Sequence, residues 1–299
     1  MAESSVQQQV QAFYNAVGWK QIGPGVYQNA RYEDLRPVSR PYVHACHVRF
    51  GRHLPAAGRL FLDAGSGPIQ YPEYLEYSRG FERRVCLDLS RLALVEARQR
   101  IGEHGWFVVG DIARLPFRGG AFDSAATLHT IHHLPAGEQE SAFADLVRCL
   151  APGGRLGAVY SWGERSGIVR LTRPLVWAAE RGRSLVRSLR RGRHASVAPA
   201  GEAAELLRSP GSFTFKHDYG WATSRLARLG EVRIVVWRSV STAMLRGLVH
   251  PLLLGRLGLR GLFILETLAP RFFGRHGAYS TILIAKRGAG SPAPAGERK

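Results

Sequence analysis

The stretch Arg59-Leu60-Phe61-Leu62-Asp63-Ala64-Gly65-Ser66-Gly67-Pro68 decides the fold. Leu60, Phe61, Leu62 and Ala64 read as a short buried strand. A turn with two glycines comes next, and then a segment, Tyr71 to Arg79, that can start a helix. Strand, glycine turn and helix make the first unit of a nucleotide-binding α/β sheet. Gly65 and Gly67 lack Cβ atoms, so the backbone can turn sharply there and a ligand can approach it closely. Asp63, at the strand's end, directs a carboxylate into the same crevice, where it repels a pyrophosphate and attracts an ammonium group. Taken alone the motif also fits a tight loop that binds nothing.

Residues 84 to 161 have the period and order of the same sheet. Arg84-Val85-Cys86-Leu87-Asp88 reads as a second parallel strand, with Asp88 at its carboxyl end, 21 residues after Gly67. That spacing suits an acidic side chain that chelates ribose hydroxyls; Asp88 or Ser90 could equally begin the helix Leu92 to Ile101. Trp106 to Asp111 is a third strand. Asp111 beyond its end can accept from an exocyclic amine, with Ile112 against the ring face, or can form an Asx turn. Ala121 to Leu128 is apolar enough for a central strand. It leads into His129-Thr130-Ile131-His132-His133-Leu134-Pro135, where one imidazole with an ordinary pKa near about 6.5 could serve as a general base. The helix Glu138 to Leu150 is stopped by Ala151-Pro152-Gly153-Gly154, and Arg155 to Ser161 is a fifth strand.

In this order and spacing, Asp63-Ala64-Gly65-Ser66-Gly67, Asp88, Gly110-Asp111, Phe122-Asp123 with His132-His133-Leu134, and Leu150-Ala151-Pro152-Gly153-Gly154-Arg155-Leu156 resemble the class I S-adenosylmethionine (SAM)-dependent methyltransferases. They look most like the small-molecule branch of ubiquinone/menaquinone-type, methyltransferase type 11-like enzymes, over about residues 55 to 162. The resemblance implies a Rossmann-like α/β fold, a seven-stranded and mostly parallel sheet with helices on both faces. It also implies SAM as cofactor. The methionine part would lie on Gly65, Ser66 and Gly67 with Asp63, the ribose on Asp88 beside Leu89, and the adenine at Asp111 and Ile112. His132 is the first choice of base, then His129 and His133, with His129 also near the cofactor. Many members carry a third glycine where this chain has Ile69, after Pro68, which implies a stiffer turn.

Composition and charge frame the rest. With 299 residues, 45% hydrophobic and 21% charged, the chain can bury a real core. Cys46, Cys86 and Cys149 form no disulfide framework and suit a reducing cytoplasm. His44-x-Cys46-His47 has no second cluster to complete a metal site, so no metal is expected. Neither a signal peptide nor an apolar run long enough to span a bilayer is read. The net charge is +18, and it lies almost wholly in residues 151 to 299, which implies a polyanionic surface for that half.

Four regions are expected: an N-terminal helical lid over 1–54, the SAM-binding core over 55–162, a basic half over 163–287 that completes the sheet, and a disordered tail over 288–299. In the lid, the helix of residues 6 to 20 would bring Tyr14, Trp19 or Tyr27 over the site. Residues 165 to 193 hold nine arginines among apolar residues and a Trp, a pattern that suits either a membrane interface or a helix packed on the core. Ala195 to Ser212 reads as a loop, and Glu231 to Ser239 and Tyr279 to Lys286 as the last two strands. One or two helices lie between them over Met244 to Phe273. The functional expectation is methyl transfer to a small acceptor, lipophilic or membrane-associated, by O- or C-methylation, at a cytoplasmic or inner-membrane-face location. The alternatives are an RNA methyltransferase that uses the basic half for phosphates, and a SAM-binding protein without transfer activity.

Overall fold

The computed structural model describes residues 2–23, 26–29, 33–191, 212–250 and 254–288. The chain begins with α1 (Ala2–Phe13), the hairpin β1 (Gln21–Gly23) and β2 (Val26–Tyr27), and α2 (Arg40–Gly51). Then come β3 (Gly58–Ala64), α3 (Glu73–Glu76), β4 (Phe81–Asp88), α4 (Arg91–Ile101), β5 (Gly105–Val109), β6 (Phe122–Leu128), α5 (Ala136–Cys149) and β7 (Leu150–Ser161). The second half adds α6 (Gly167–Arg191), α7 (Tyr219–Leu226) and β8 (Glu231–Arg238). It closes with α8 (Thr242–Leu248), α9 (Gly255–Leu268), α10 (Pro270–His276) and β9 (Tyr279–Ala285).

Seven strands form one sheet in the order β5-β4-β3-β6-β7-β9-β8. Strands β3 to β7 pair in parallel, and β9 runs antiparallel to both of its neighbours, β7 and β8. The direction of strand progression reverses between β3 and β6, and ligands bind outside the carboxyl ends of strands at such a switch point. Period-2 alternation distributes the strand residues between two cores. Leu62, Val85 and Leu87 pack with α5 and α7 through Phe143, Leu146, Ala222 and Leu226. Phe61, Ala126, Val159 and Trp237 pack on the other face with Tyr42, Phe50, Leu245 and Leu259 from α2, α8 and α9. The start of β3 is fixed by Asp123, whose Oδ2 accepts from the Arg59 N–H at 2.7 Å and the Leu60 N–H at 2.9 Å.

Several elements differ from the sequence reading. The helix expected over Tyr71–Arg79 shrinks to the single turn α3, because Tyr74 and Tyr77 are drawn into an aromatic cluster with Tyr71, His47 and Phe50. The Pro152-Gly153-Gly154 stop ends α5 as expected, yet β7 already begins at Leu150, with a register irregularity against β6. Among the described residues of the last connection there are three helices, α8 to α10, in place of one or two. From Gly167 to Arg191 the arginine-rich stretch is one helix, α6, continuous through Pro174. Apart from Ser212 and Gly288, the expected loop Ala195–Ser212 and tail Gly288–Lys299 lie outside the described residues.

The basic half is tied to the core by a buried polar network. Glu266 of α9 is fully buried. It accepts from Tyr42 Oη at 2.6 Å, from the Ser239 N–H at 2.8 Å and from Arg49 at 2.8 Å. Removing one partner of a buried ion pair strands the other charge, at about 3–5 kcal/mol. Glu266→Ala is expected to lower unfolding stability by about 3 kcal/mol or more in urea titration; a change within about 0.5 kcal/mol would contradict the network's role.

Candidate functional site at the sheet switch point

The glycine turn needs its glycines. Gly65 has φ +74°, its N–H donates to the Leu87 carbonyl at 2.7 Å, and a Cβ there would lie 2.4 Å from the Thr130 side chain. Gly67 has φ +54°, and a Cβ would lie 2.8 Å from the Trp19 ring. Ile69, the departure from the three-glycine pattern, also has a left-handed backbone, with φ +53°, while its side chain is fully buried against Cys86, Leu94 and Ala97. A β-branched residue in that region carries strain, of order 1–3 kcal/mol, which the burial of its side chain offsets.

A cavity of about 430 Å³ opens along the carboxyl ends of β3, β4 and β6. Asp63 lines it, but not as the unpaired charge expected from the sequence. Its Oδ2 is ion-paired with the Arg84 guanidinium, both side chains being almost fully buried. Arg84 also donates to the Tyr74 carbonyl at 2.6 Å. The attraction of this crevice for an ammonium group is correspondingly weaker than a bare carboxylate would give. Ser66 is buried at the turn, its hydroxyl donating to the Gly67 carbonyl at 3.2 Å.

Asp88 and Ser90 divide the two roles that the sequence left open. Ser90 caps α4, its Oγ accepting from the Ala93 N–H at 3.2 Å. Asp88 accepts from the Ser90 N–H and from the Gly67 N–H, each at 2.8 Å, and so joins the end of β4 to the glycine turn. Burial pushes its carboxyl up to about 6, against the lowering effect of the two N–H groups. Leu89 and Ile112 line the cavity beside it. Asp111 has both oxygens engaged, Oδ1 by the Ala113 N–H at 2.9 Å and Oδ2 by Gln7 of α1 at 2.5 Å.

The N-terminal segment lies over this end of the sheet. Gln11 donates to the Leu89 carbonyl at 2.7 Å, and the Ser90 hydroxyl donates to Asn15 at 2.6 Å. After α1 the helix widens, with the Trp19 N–H donating five residues back to the Tyr14 carbonyl at 2.9 Å. Tyr14 and Trp19 stack at 5.0 Å between centroids, and both line the cavity. Tyr27 is fully buried behind them, bonded to Glu96, and is not among the lining residues. The sequence reading missed Gln7, Gln11 and Asn15, which look like the solvated face of an amphipathic helix.

The three histidines diverge. His133 is engaged at both nitrogens: Nδ1 donates to the Phe213 carbonyl at 2.8 Å, so Nε2 accepts from Tyr14 Oη at 2.9 Å. His129 has φ +59°, and its Nε2 is buried with no hydrogen-bond partner among the described residues, as is Nδ1 of His132. Burial drives all three imidazoles down, His129 to about 3, His133 to about 4 and His132 well below its ordinary value. The expectation of a base titrating near about 6.5 is thereby corrected: these rings are neutral and weakly basic because a buried imidazolium is poorly solvated.

Beyond the histidines, the segment Ser212-Phe213-Thr214-Phe215-Lys216 forms a roof, with Ser212, Thr214 and Lys216 toward the cavity. The Phe215 N–H donates to the His132 carbonyl at 2.8 Å, and Gln139 donates to the Phe215 carbonyl at 3.0 Å. Sequence reasoning missed this segment, although its polar–aromatic alternation is a period-2 signal. At the far end, Glu33 lines the cavity and is ion-paired with the buried Arg238, whose guanidinium lies 4.7 Å from the Tyr279 ring centroid. Among the described residues no cluster of His, Cys, Asp and Glu is arranged to hold a metal.

The strand ends and turns at the centre of this site lie within a recognisable domain. Residues 62–158 match the methyltransferase domain family. The tRNA (carboxymethyluridine(34)-5-O)-methyltransferase alkbh8 of Xenopus tropicalis is 30% identical over 146 residues, which cover 42% of this chain and 22% of that protein. The chain thus spans about a fifth of the length of the curated relative it matches. Among solved structures, phosphoethanolamine N-methyltransferase 1 of Haemonchus contortus, in complex with phosphoethanolamine and S-adenosylhomocysteine, aligns over 98% of this chain and 51% of its own, with a TM-score of 0.57 and 12% identity. The complex of the Haloferax volcanii Trm112 methyltransferase activator with a methyltransferase gives a chain aligned over 95% of this one and 100% of its own, with a TM-score of 0.53 and 13% identity. At such identities the two structures carry the fold. Residues 62–158 are a methyltransferase domain, and the chain around them has the class I SAM-dependent methyltransferase fold, whose cofactor is S-adenosylmethionine.

A raised Asp88 pKa means that the empty protein holds a proton there to a higher pH than the free side chain does. A ligand that presents hydroxyl donors and a positive charge favours the carboxylate and expels that proton. Calorimetry of SAM binding near pH 5.5 is expected to depend on the buffer's ionisation enthalpy, with proton release that vanishes above about pH 7.5 and in Asp88→Asn. Identical release in wild type and Asp88→Asn would contradict the assignment.

Proposed function

We propose that this chain moves the methyl group of S-adenosylmethionine to a small acceptor held in the histidine-lined part of the cavity. In this reading Gly65, Ser66 and Gly67, with Asp63, take the methionine part and Asp88 chelates the ribose beside Leu89. The adenine meets Ile112 and Asp111 once Gln7 shares or releases that carboxylate. The segment from α1 to Trp19, with Tyr14, acts as the lid, whereas α2, expected as part of the same lid, is packed against the sheet. The observation that supports this most is the enclosure itself: Gly65 and Ser66 of the glycine turn, Asp88, and the two nitrogens without a partner among the described residues, His129 Nε2 and His132 Nδ1, belong to residues lining one cavity.

Transfer is an in-line displacement at the methyl carbon, which requires alignment more than covalent help. Neutral imidazoles leave the sulfonium unrepelled. His132 is the first candidate to take a hydrogen bond or proton from an acceptor hydroxyl and His129 the second. His133, engaged at both nitrogens, serves to hold lid and roof together. O- or C-methylation fits such a weakly basic site.

The lipophilic, membrane-surface setting is part of the same proposal. Leu171, Leu175 and Leu185 form one exposed stripe on α6, with Arg170, Arg173 and Arg181 on its exposed flank. Each basic residue near an anionic bilayer contributes about 1 kcal/mol. No helix among the described residues is long and apolar enough to cross a membrane, so attachment at the inner face from the cytoplasmic side is the form proposed. The likeness to alkbh8 favours a second reading, in which the same basic half meets tRNA.

Incubation with methyl-labelled SAM and, separately, cell lipid extract, polar metabolites and total tRNA tests these readings. Label is expected in a small-molecule fraction, and His132→Ala is expected to slow its appearance about tenfold or more with SAM affinity unchanged. Label confined to tRNA would establish the second reading. SAM binding with no transfer to any fraction would leave a binding protein without transfer activity.

A further inference from the structure

The charges along the cavity are almost all matched. Glu33 is paired with Arg238, Asp63 with Arg84, and Asp88 accepts two backbone N–H groups. Lys216 is different. It lines the cavity, is half-buried, and has neither a hydrogen bond nor an ion pair among the described residues. Glu164 offers it only a longer-range attraction, and burial lowers its pKa. Its position is imposed by the roof, because the Phe215 N–H and C=O are bonded to His132 and Gln139. The hydroxyl-bearing Ser212 and Thr214, four and two residues back, line the same cavity. A cation held at the rim of a pocket, unpaired and beside neutral imidazoles, is a receptor for negative charge.

We propose that Lys216 anchors an anionic oxygen of the methyl acceptor, so that the acceptor is a carboxylate-bearing or acidic-hydroxyl small molecule. Lys216 is then a positioning and specificity-determining residue. This rests on the reading that the cavity holds cofactor and acceptor together. A sulfonium and a lysine in one enclosure give an uncompensated positive field, which the acceptor's negative charge offsets. Where the anchored oxygen is itself the one methylated it arrives ionised, and His132 then acts on it through a hydrogen bond; where the anchor is a separate carboxylate, the acceptor hydroxyl still gives its proton to His132.

The test uses the full chain saturated with S-adenosylhomocysteine and three probes: benzoate, its uncharged isostere benzamide, and 4-nitrophenol, whose ionised form absorbs visibly. Benzoate is expected to bind at least tenfold more tightly than benzamide if the oxygen is a carboxylate's. If it is an acidic hydroxyl's, bound 4-nitrophenol is expected to ionise at lower pH than free 4-nitrophenol. In Lys216→Met either preference should vanish while S-adenosylhomocysteine binds as before, and Lys216→Arg should restore most of it. Absence of both preferences in the wild type up to the probes' solubility, or their persistence in Lys216→Met, would overturn the proposal. Failure of the protein to bind S-adenosylhomocysteine at all would instead remove the cofactor reading beneath it.

Discussion

The carboxylate of Asp88 holds the site together. It accepts from the Gly67 N–H and from the Ser90 N–H, each at 2.8 Å, and so fixes the glycine turn after β3 against the end of β4 and the start of α4. Gly65 is held from the same side through the Leu87 carbonyl. With the turn fixed in a left-handed conformation, the backbone leaves room for a ligand between the strand ends. The cost is a half-buried negative charge with only dipoles to stabilise it, and hence the raised pKa. Groups with perturbed pKa values set by burial in a cleft concentrate at functional sites. Here the perturbation comes from the same geometry that makes the turn.

Around this centre, charges that are buried are matched. Arg84 neutralises Asp63 under the turn, Arg238 and Glu33 neutralise each other at the far end, and Arg49 and Glu266 do so beneath α9. The histidines are kept neutral by burial. The interior is therefore electrically quiet apart from Asp88 and Lys216, which line different parts of the cavity. A cationic cofactor beside the first and an anionic acceptor beside the second would complete the electrostatics of the enclosure. The N-terminal segment and the Ser212–Lys216 roof meet at His133, which bonds Tyr14 on one side and the Phe213 carbonyl on the other.

Much of the fold was legible because its signals are local. Short apolar runs, two glycines and the positions of Asp88, Asp111 and the three histidines give the order of β3 to β7 without any tertiary information. What could not be read depends on distant parts of the chain. Arg84 looks like an ordinary strand residue until register places it opposite Phe61, within reach of Asp63. Gln7, Gln11 and Asn15 look solvated until α1 is laid on the site. The histidines' basicity is set by burial, which sequence does not display. The Ser212–Lys216 alternation was present but abuts a Pro- and Gly-rich stretch, and its partner is a loop, not a strand, so no pairing rule pointed to it.

The central claim is that the crevice between the glycine turn and Asp88 is the cofactor's seat. A crystal structure of the full chain with S-adenosylhomocysteine tests it most directly. The account predicts both ribose hydroxyls on the Asp88 carboxylate, the adenine against Ile112, and Gln7 moved from or shared at Asp111. A cofactor bound elsewhere, or one whose ribose leaves Asp88 bonded only to Gly67 and Ser90, would contradict it.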